Sequence, residues 1–117
     1  MNSQTLTFEE ASRIWEAIRS HTDTRDPDIA GLYQTFCQRA VKYAHIRAGW
    51  NLLTREQKQG TDSSRTHAHD AFLNSVQILA RLQGDAGAAW KEALGEDRKR
   101  IGDFACYLAL FWGLEAR

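Results

Sequence analysis

One long amphipathic segment constrains this chain more than any other feature. Asp26-Pro27 has the residues of a helix start, with the aspartate as N-cap and the proline at the first helical position. The positions that follow it recur every three or four residues and form one stripe: Ile29, Leu32, Tyr33, Phe36, Ala40, Tyr43, Arg47 and Trp50. This spacing predicts a helix over residues 27–52, roughly 37 Å long, whose apolar side needs other helices to cover it.

Two capping boxes predict further helices. Thr7 and Glu10 open an amphipathic N-terminal helix that ends near Ser20. Thr54 and Gln57 have the same pattern, and the sequence predicts a short helical turn there that stops at a glycine, Gly60. The predicted helices after it cover residues 63–83, beginning after Asp62, then a short segment closed by Gly95, and finally residues 97–114.

The last predicted helix has two apolar sides. One side carries the large residues Ile101, Phe104, Leu108 and Phe111, and the other carries Gly102, Cys106, Ala109 and Gly113. A helix that is apolar all round is buried all round, so it should be the central helix or contact a second subunit. The competing expectation is that the N-terminal helix packs against the small residues through Phe8, Trp15 and Ile18.

The fold class follows from these patterns. No stretch alternates with the period of two that is typical of strands, and 43% of the 117 residues are hydrophobic, which is enough to fill one core. The sequence predicts an all-α, single-domain bundle over residues 1–117, with three main helices, an N-terminal helix and short connecting helices.

Charge and cysteine content limit the partners. The formal net charge of zero disfavours nucleic acid, although residues 31–60 carry five basic side chains against one acid. The longest uncharged run, from Phe104 to Leu114, is about half of a membrane span, and no signal sequence is recognisable. We therefore expect a cytoplasmic protein without a membrane partner. Cys37 and Cys106 lie in helical patterns and are expected to be buried free thiols.

The string His67-Ala68-His69-Asp70 is the most suggestive motif. With His45 and Asp103 it resembles the metal set of the HD-type phosphohydrolases, which are also all-helical. However, His45 points about 160° away from the apolar stripe of its helix, and His67 and His69 diverge on theirs. The residues that follow the pair also depart from that family's pattern. We therefore predict no metal and no cofactor.

Five charged or polar residues form a different candidate site. Helical projection places Arg47, Arg65 and His69 in the apolar stripes of their helices, Asp97 in the stripe of the last helix and Asp103 at its margin. Ionised groups are rarely buried without partners, so an arginine should pair with one of the aspartates. Such a cluster is either a structural network or a ligand-binding pocket for a small anion. Both interpretations stay open on the sequence.

The later half of the chain resembles a family of small, all-helical bacterial proteins of the Gram-positive type, a domain of unknown function. The resemblance is carried by Ser64-Arg65-Thr66, His69-Asp70-Ala71-Phe72 and the segment from Gly95 to Ala105. It implies a bacterial cytosolic protein and brings no assigned activity.

The basic run Arg98-Lys99-Arg100 is flanked by acids and is expected to be a solvated first turn. There is no glycine-rich phosphate loop, no Cys-x-x-Cys, and no nucleophile with a base at a recognisable spacing. The sequence therefore favours a non-enzymatic protein-interaction or regulatory module, with a protein partner or a second copy bound through the last helix. The alternative is a ligand-binding protein or metal-dependent hydrolase that uses Arg65, His69 and Asp103.

Overall fold

The computed structural model describes residues 5–50 and 52–115, with the backbone alone for residues 114 and 115. Within these ranges the chain forms five α-helices and no strand, which confirms the all-α prediction. The helices are α1 (Phe8–Ser20), α2 (Pro27–Trp50), α3 (Arg55–Leu82), α4 (Gly84–Leu94) and α5 (Arg98–Glu115). None of them, within the described ranges, is long and apolar enough to cross a bilayer.

The predicted helix starts of α1 and α2 are confirmed in atomic detail. The Thr7 hydroxyl accepts a hydrogen bond from the Glu10 N–H at 3.2 Å, and the Glu10 carboxylate accepts one from the Thr7 N–H at 3.2 Å. The Asp26 carboxylate accepts from the backbone N–H of Asp28 at 2.9 Å. Each side chain therefore satisfies an amide that the first turn of a helix leaves free.

The prediction for α3 is wrong in one respect. The Thr54–Gln57 capping box is present, but the helix runs without interruption through Gly60 to Leu82. Gly60 does not adopt a positive φ, and an interior glycine costs a helix only about 1 kcal/mol relative to alanine. The apolar packing of the later turns offsets that cost, so no separate helix begins after Asp62.

The helix α2 lies between α3 and α5 and runs antiparallel to both. On its α3 side, the rings of Phe36 and Phe72 stack with centroids 5.5 Å apart. On its α5 side, Arg47 near the end of α2 meets Asp103 near the start of α5. Phe72 also contacts Phe104 of α5, at 6.3 Å between centroids, which joins the three helices in one core.

The last helix, α5, contacts each of the other four described helices. Most of its large apolar side is fully buried, as expected for a central helix: Ile101, Phe104, Ala105 and Leu108 have no exposed surface, and Phe111 is partly buried. The opposite side is only partly covered. Gly102 is buried, whereas Cys106 and Gly113 are exposed.

The N-terminal helix does not pack on these small residues, so that prediction is wrong. The Phe8 ring contacts those of Tyr107 and Phe111 at 6.0 and 5.7 Å between centroids, and Trp15 stacks on Phe111 at 6.3 Å. Aromatic rings favour such edge and stacked contacts, which the small residues cannot offer. It follows that α1 covers the aromatic flank of α5.

The small residues instead allow α2 to approach α5 at one end. A Cβ atom at Gly102 would lie 2.7 Å from Nη1 of Arg47, so a larger residue would push this guanidinium out of its present position. Further along α5 the small residues are less well covered, and Cys106 and Gly113 are exposed. The expectation that both cysteines are buried is therefore right for Cys37 and wrong for Cys106, and both are free thiols.

A single glutamine connects α3, α4 and α1. The Gln83 amide donates to the Ile18 carbonyl at 3.2 Å and to the Thr22 hydroxyl at 3.0 Å, and it accepts from the Trp90 indole N–H at 2.8 Å. The next residue, Gly84, has a φ of 60°, a value that L side chains rarely adopt. This turn fixes the direction of α4 and the position of the carboxyl end of α1.

Candidate functional site

Arg47 and Asp103 form an ion pair beside the start of α1. Arg47 Nη2 lies 3.0 Å from Asp103 Oδ1, and the two side chains are only 24% and 14% exposed. The second oxygen of Asp103 accepts a hydrogen bond from the Leu6 N–H at 3.1 Å. The predicted pairing of an arginine with an acid of the last helix is therefore confirmed for Arg47 and Asp103, which hold α2, α5 and the N-terminal segment together.

Arg100 extends this network, although the sequence suggested a solvated residue. Its side chain is 11% exposed and reaches the Glu10 carboxylate at 3.2 Å. It also donates to the Leu94 carbonyl at 2.8 Å and to the Ala93 carbonyl at 3.0 Å. Arg98 and Lys99 of the same turn are exposed, as expected. We call the set Leu6, Glu10, Arg47, Arg100 and Asp103 the α1–α5 junction.

These contacts change the pKa of the Glu10 carboxyl from its ordinary value. The backbone N–H of Thr7 lowers its pKa below the ordinary value, and the hydrogen bond from Arg100 lowers it further. Both donors stabilise the ionised form. The charge of Glu10 therefore contributes to the stability of the junction.

Asp97 does not belong to the apolar stripe of α5, contrary to the prediction. It is exposed and precedes the helix, and its carboxylate accepts from the backbone N–H groups of Lys99 at 2.9 Å and Arg100 at 3.4 Å. A residue in the N-cap position lies outside the helical rotation, so a projection at 100° per residue misplaces it. Asp97 is a helix cap.

Arg65 lies at the opposite end of the α2–α3 pair from the Phe36–Phe72 stack. Its guanidinium carbon is 4.5 Å from the centroid of the Trp50 ring, a cation–π contact. Its Nε atom is buried and has no hydrogen-bond partner among the described residues. Arg65 is thus separate from the α1–α5 junction.

His69 lies one turn further along α3, beside Tyr43. The edge of its ring faces Tyr43 at 5.5 Å between centroids, and its Nδ1 lies 3.1 Å from the Asp70 carboxylate. The side chain is 9% exposed, and its Nε2 has no partner in the part of the chain that the structure describes. The two buried atoms without partners, on Arg65 and His69, therefore occur one turn apart on one face of α3.

An open cleft of ≈ 470 Å³ lies where α2 ends and α3 begins. It is lined by Trp50, Arg55, Lys58, Gln59 and Asp62. Lys58 Nζ lies 5.8 Å from the centroid of the Trp50 ring. We call these five residues the Trp50 cleft. Sequence reasoning missed Arg55 and Lys58, and the signal that could have found them is the excess of basic residues between positions 31 and 60.

The structure does not bring the histidine motif together. His45 and His67 are exposed, whereas His69 is buried against Tyr43. Asp103, which belongs to the same predicted metal set, is paired with Arg47 at the α1–α5 junction. Within residues 5–50 and 52–115, no group of three or more histidine, cysteine or acidic side chains is placed to hold a metal ion.

The five predicted ligand residues therefore occupy different places. Arg47 and Asp103 form one ion pair, Asp97 caps a helix, and Arg65 and His69 lie on the face of α3 that continues from the Trp50 cleft. Binding of a small anion by this set stays a prediction.

Comparison with known proteins gives no family for the chain. No family profile, no curated protein and no solved structure matches it. The resemblance of the later half to small helical bacterial proteins therefore stays a prediction too, and the functional argument depends on the geometry.

Proposed function

We propose that this protein is a non-enzymatic interaction module that binds a second copy of itself through the outer face of α5. This face is defined by Cys106, Leu110 and Gly113. The observation that carries the proposal is Leu110, a large apolar side chain on the longest apolar run of the sequence, which is 55% exposed. Contiguous exposed apolar surface is typical of interaction sites.

The neighbouring helix extends this surface. Arg47 Nη1 lies 4.0 Å from Cys106 Sγ, so the carboxyl half of α2 runs along the same edge of α5. Val41, one and a half turns earlier on α2, is 37% exposed. With Arg47 opposite Gly102, the antiparallel register places Val41 level with residues 108 and 109. The outer face of α5 is therefore continuous with an apolar flank of α2.

The size of this surface favours a weak dimer. An α-helix of 18 residues is about 27 Å long, and adjacent helices lie about 10 Å apart. The two-helix face then offers roughly 500 Å² per copy, so a twofold pair would bury roughly 1,000 Å² in total, at the low end of specific interfaces. Because one patch serves both copies, a closed dimer forms and no filament results.

Charge favours an antiparallel arrangement of the two α5 helices. Among the described helices, α5 has no acidic residue in its first turn, whereas α1 has two and α2, α3 and α4 have one each. Arg98 and Lys99 are exposed there. Cations are stabilised near the carboxyl end of a helix, and an antiparallel partner brings such an end beside them.

Sedimentation velocity with two matched variants tests the proposal. Leu110→Arg places a charge on the outer face of α5, while Leu82→Arg places the same charge at the end of α3, where the leucine is 54% exposed. Both changes leave the buried core intact. We expect a parent dimer with a micromolar Kd, a monomeric Leu110→Arg protein and an unchanged Leu82→Arg dimer.

A parent that stays monomeric at a concentration of several hundred micromolar would overturn the proposal. A dimer that survives Leu110→Arg would place the interface elsewhere. Ala109→Arg is a poorer test, because Ala109 is half-buried and its substitution also disturbs the monomer.

The compartment and origin are part of the same proposal. Both cysteines are free thiols, and free thiols without disulfides are typical of reducing compartments. This supports a cytoplasmic protein. The sequence resemblance of the later half supports a bacterial one.

A further inference from the structure

The Trp50 cleft combines an aromatic ring with basic side chains that lack acidic partners. Within the described ranges, Arg55 and Lys58 make no ion pair. The same is true of several basic side chains elsewhere, such as Lys42 and Arg98, but here two such cations line one cleft beside an aromatic ring. Only one acid, Asp62, lines the cleft. In a chain with a net charge of zero, this is a local excess of positive charge.

We propose that the Trp50 cleft binds a small anion that carries a planar ring, of about the size of a nucleoside monophosphate. The anionic group, a phosphate or a carboxylate, is held by Arg55 and Lys58 at the start of α3. The positive end of the α3 helix dipole adds to this attraction. The ring of the ligand lies against Trp50 in place of the Lys58 side chain, whose Nζ atom lies 5.8 Å from the ring centroid in the unliganded protein. The cleft volume of ≈ 470 Å³ is within the range of small-molecule sites.

The polar groups around the ring suit such a ligand. Asp62 and Gln59 can accept hydrogen bonds from hydroxyl or amino groups of the ligand, and the Gln59 amide can also donate. Arg65 stacks on Trp50 and has a buried Nε–H without an acceptor in the described part of the chain. Arg65 does not line the cleft, so this contact supports the Trp50 ring from the protein side.

A purely structural role explains only part of this arrangement. The Arg65–Trp50 contact joins α2 to α3, and one cation is enough for that purpose. It leaves Arg55 unexplained, and Lys58 adds a second cation at 5.8 Å from the centroid of the same ring. The hollow of ≈ 530 Å³ between α3 and α4 provides a contrast, because its lining contains no aromatic residue. Of its two basic side chains, Lys91 is paired with Glu96, and Arg81 makes no ion pair within the described ranges.

Isothermal titration calorimetry of the full chain at constant low ionic strength tests the proposal. The probes are adenosine monophosphate and benzoate, which combine a ring with a phosphate or a carboxylate. Adenosine supplies a ring without charge, and inorganic phosphate supplies charge without a ring. We expect at least one of the two ringed anions to bind at least tenfold more tightly than both adenosine and inorganic phosphate. The order of the two identifies the preferred anionic group.

Matched variants locate the site. The double variant Arg55→Gln/Lys58→Gln should weaken binding of the ringed anion at least tenfold. Lys42→Gln/Arg81→Gln removes the same charge from exposed positions outside the cleft and should leave the affinity within twofold of the parent. Circular dichroism confirms that both proteins fold. Trp50→Phe should retain part of the affinity, and Trp50→Leu should lose it.

Three results would overturn the proposal: no binding of either ringed anion at millimolar concentration, equal affinity for inorganic phosphate, or equal losses in the two double variants. None of these results affects the dimer, because Cys106, Leu110 and Gly113 do not line the cleft.

Discussion

The α1–α5 junction and the Trp50 cleft place similar side chains in opposite situations. Arg47 and Arg65 both lie in the apolar stripe of a long helix, yet Arg47 meets a carboxylate at 3.0 Å and Arg65 meets an aromatic ring. At the junction every charged group has a partner, and the partners come from distant parts of the chain. At the cleft the cations exceed the acids. Fully satisfied polar networks rigidify a fold, whereas a polar group without a partner gains when one is supplied.

The largest effect should follow the loss of Asp103. The variant Asp103→Ala removes the partner of Arg47 and the acceptor of the Leu6 N–H together. We expect a loss of about 2–3 kcal/mol in the free energy of unfolding, somewhat less than for a fully buried pair because both side chains retain some exposure. Urea denaturation measures it. A loss below about 1 kcal/mol would contradict the structural role of the junction.

Alanine substitution of one glycine in each region compares the space available at the junction and beside the cleft. At Gly102 an added methyl group displaces the Arg47 guanidinium, whereas at Gly60, beside the cleft, it meets nothing within 4 Å. Since alanine favours a helix by up to about 1 kcal/mol, Gly60→Ala should stabilise the protein by about 0.5–1 kcal/mol.

Gly102→Ala should instead destabilise it by about 1 kcal/mol, because a weakened charge-assisted hydrogen bond outweighs the gain in helix propensity. Thermal or urea unfolding of the two variants, measured side by side, tests the difference. The same sign for both would mean that the space around Gly102 does not matter.

Removal of the Arg65 side chain should lower the free energy of unfolding less than removal of Asp103 does. A cation–π contact at a partly exposed site contributes about 0.5–1 kcal/mol, so Arg65→Ala should lower the free energy of unfolding by that amount. If Arg65 belonged to a buried ion pair, as the sequence allowed, the loss would be about 3–5 kcal/mol. Urea titration distinguishes the two values and thereby tests whether the cleft is structurally dispensable.

The smallest effect concerns how the melting temperature depends on pH. The pKa of Glu10 is lowered in the folded protein, so its stabilising contribution is complete above the ordinary value of 4.5 and is lost as the pH falls from there through the lowered value. The melting temperature should therefore fall more steeply below pH 4.5 in the parent than in Glu10→Gln. Parallel slopes would show that the Glu10–Arg100 contact is not maintained in solution.

Much of the fold could be predicted because it depends on local signals. The Thr7–Glu10 box and the Asp26-Pro27 start are decided within four residues, and both are confirmed. Gly60 misled the prediction, because whether a glycine ends a helix depends on the packing of the turns beyond it. The cover of the small residues on α5 was also mispredicted, since it depends on which helix approaches most closely.

The candidate sites were harder to predict for a related reason. Helical projection identified Arg47, Arg65 and Asp103 as unusual, but it contains no information about which of them meet. Arg100 was missed because acceptors of its guanidinium come from residues 5, 10, 93 and 94, which lie outside α5. Periodicity along one helix cannot reveal partners on other segments, whether they end the preceding helix, as residues 93 and 94 do, or lie 90 or more residues away, as residues 5 and 10 do.

The polar anchors of α1 also determine the order in which the chain can complete its fold during synthesis. Leu6 binds a carboxylate 97 residues later, and Glu10 binds a guanidinium 90 residues later. At roughly 5–20 residues per second, the ribosome makes those partners some 5–20 seconds after the helix itself. The helix α1 is translated before α2 to α5 and is thus among the last of the five to be fixed. Until then its apolar face is exposed to chaperones and proteases.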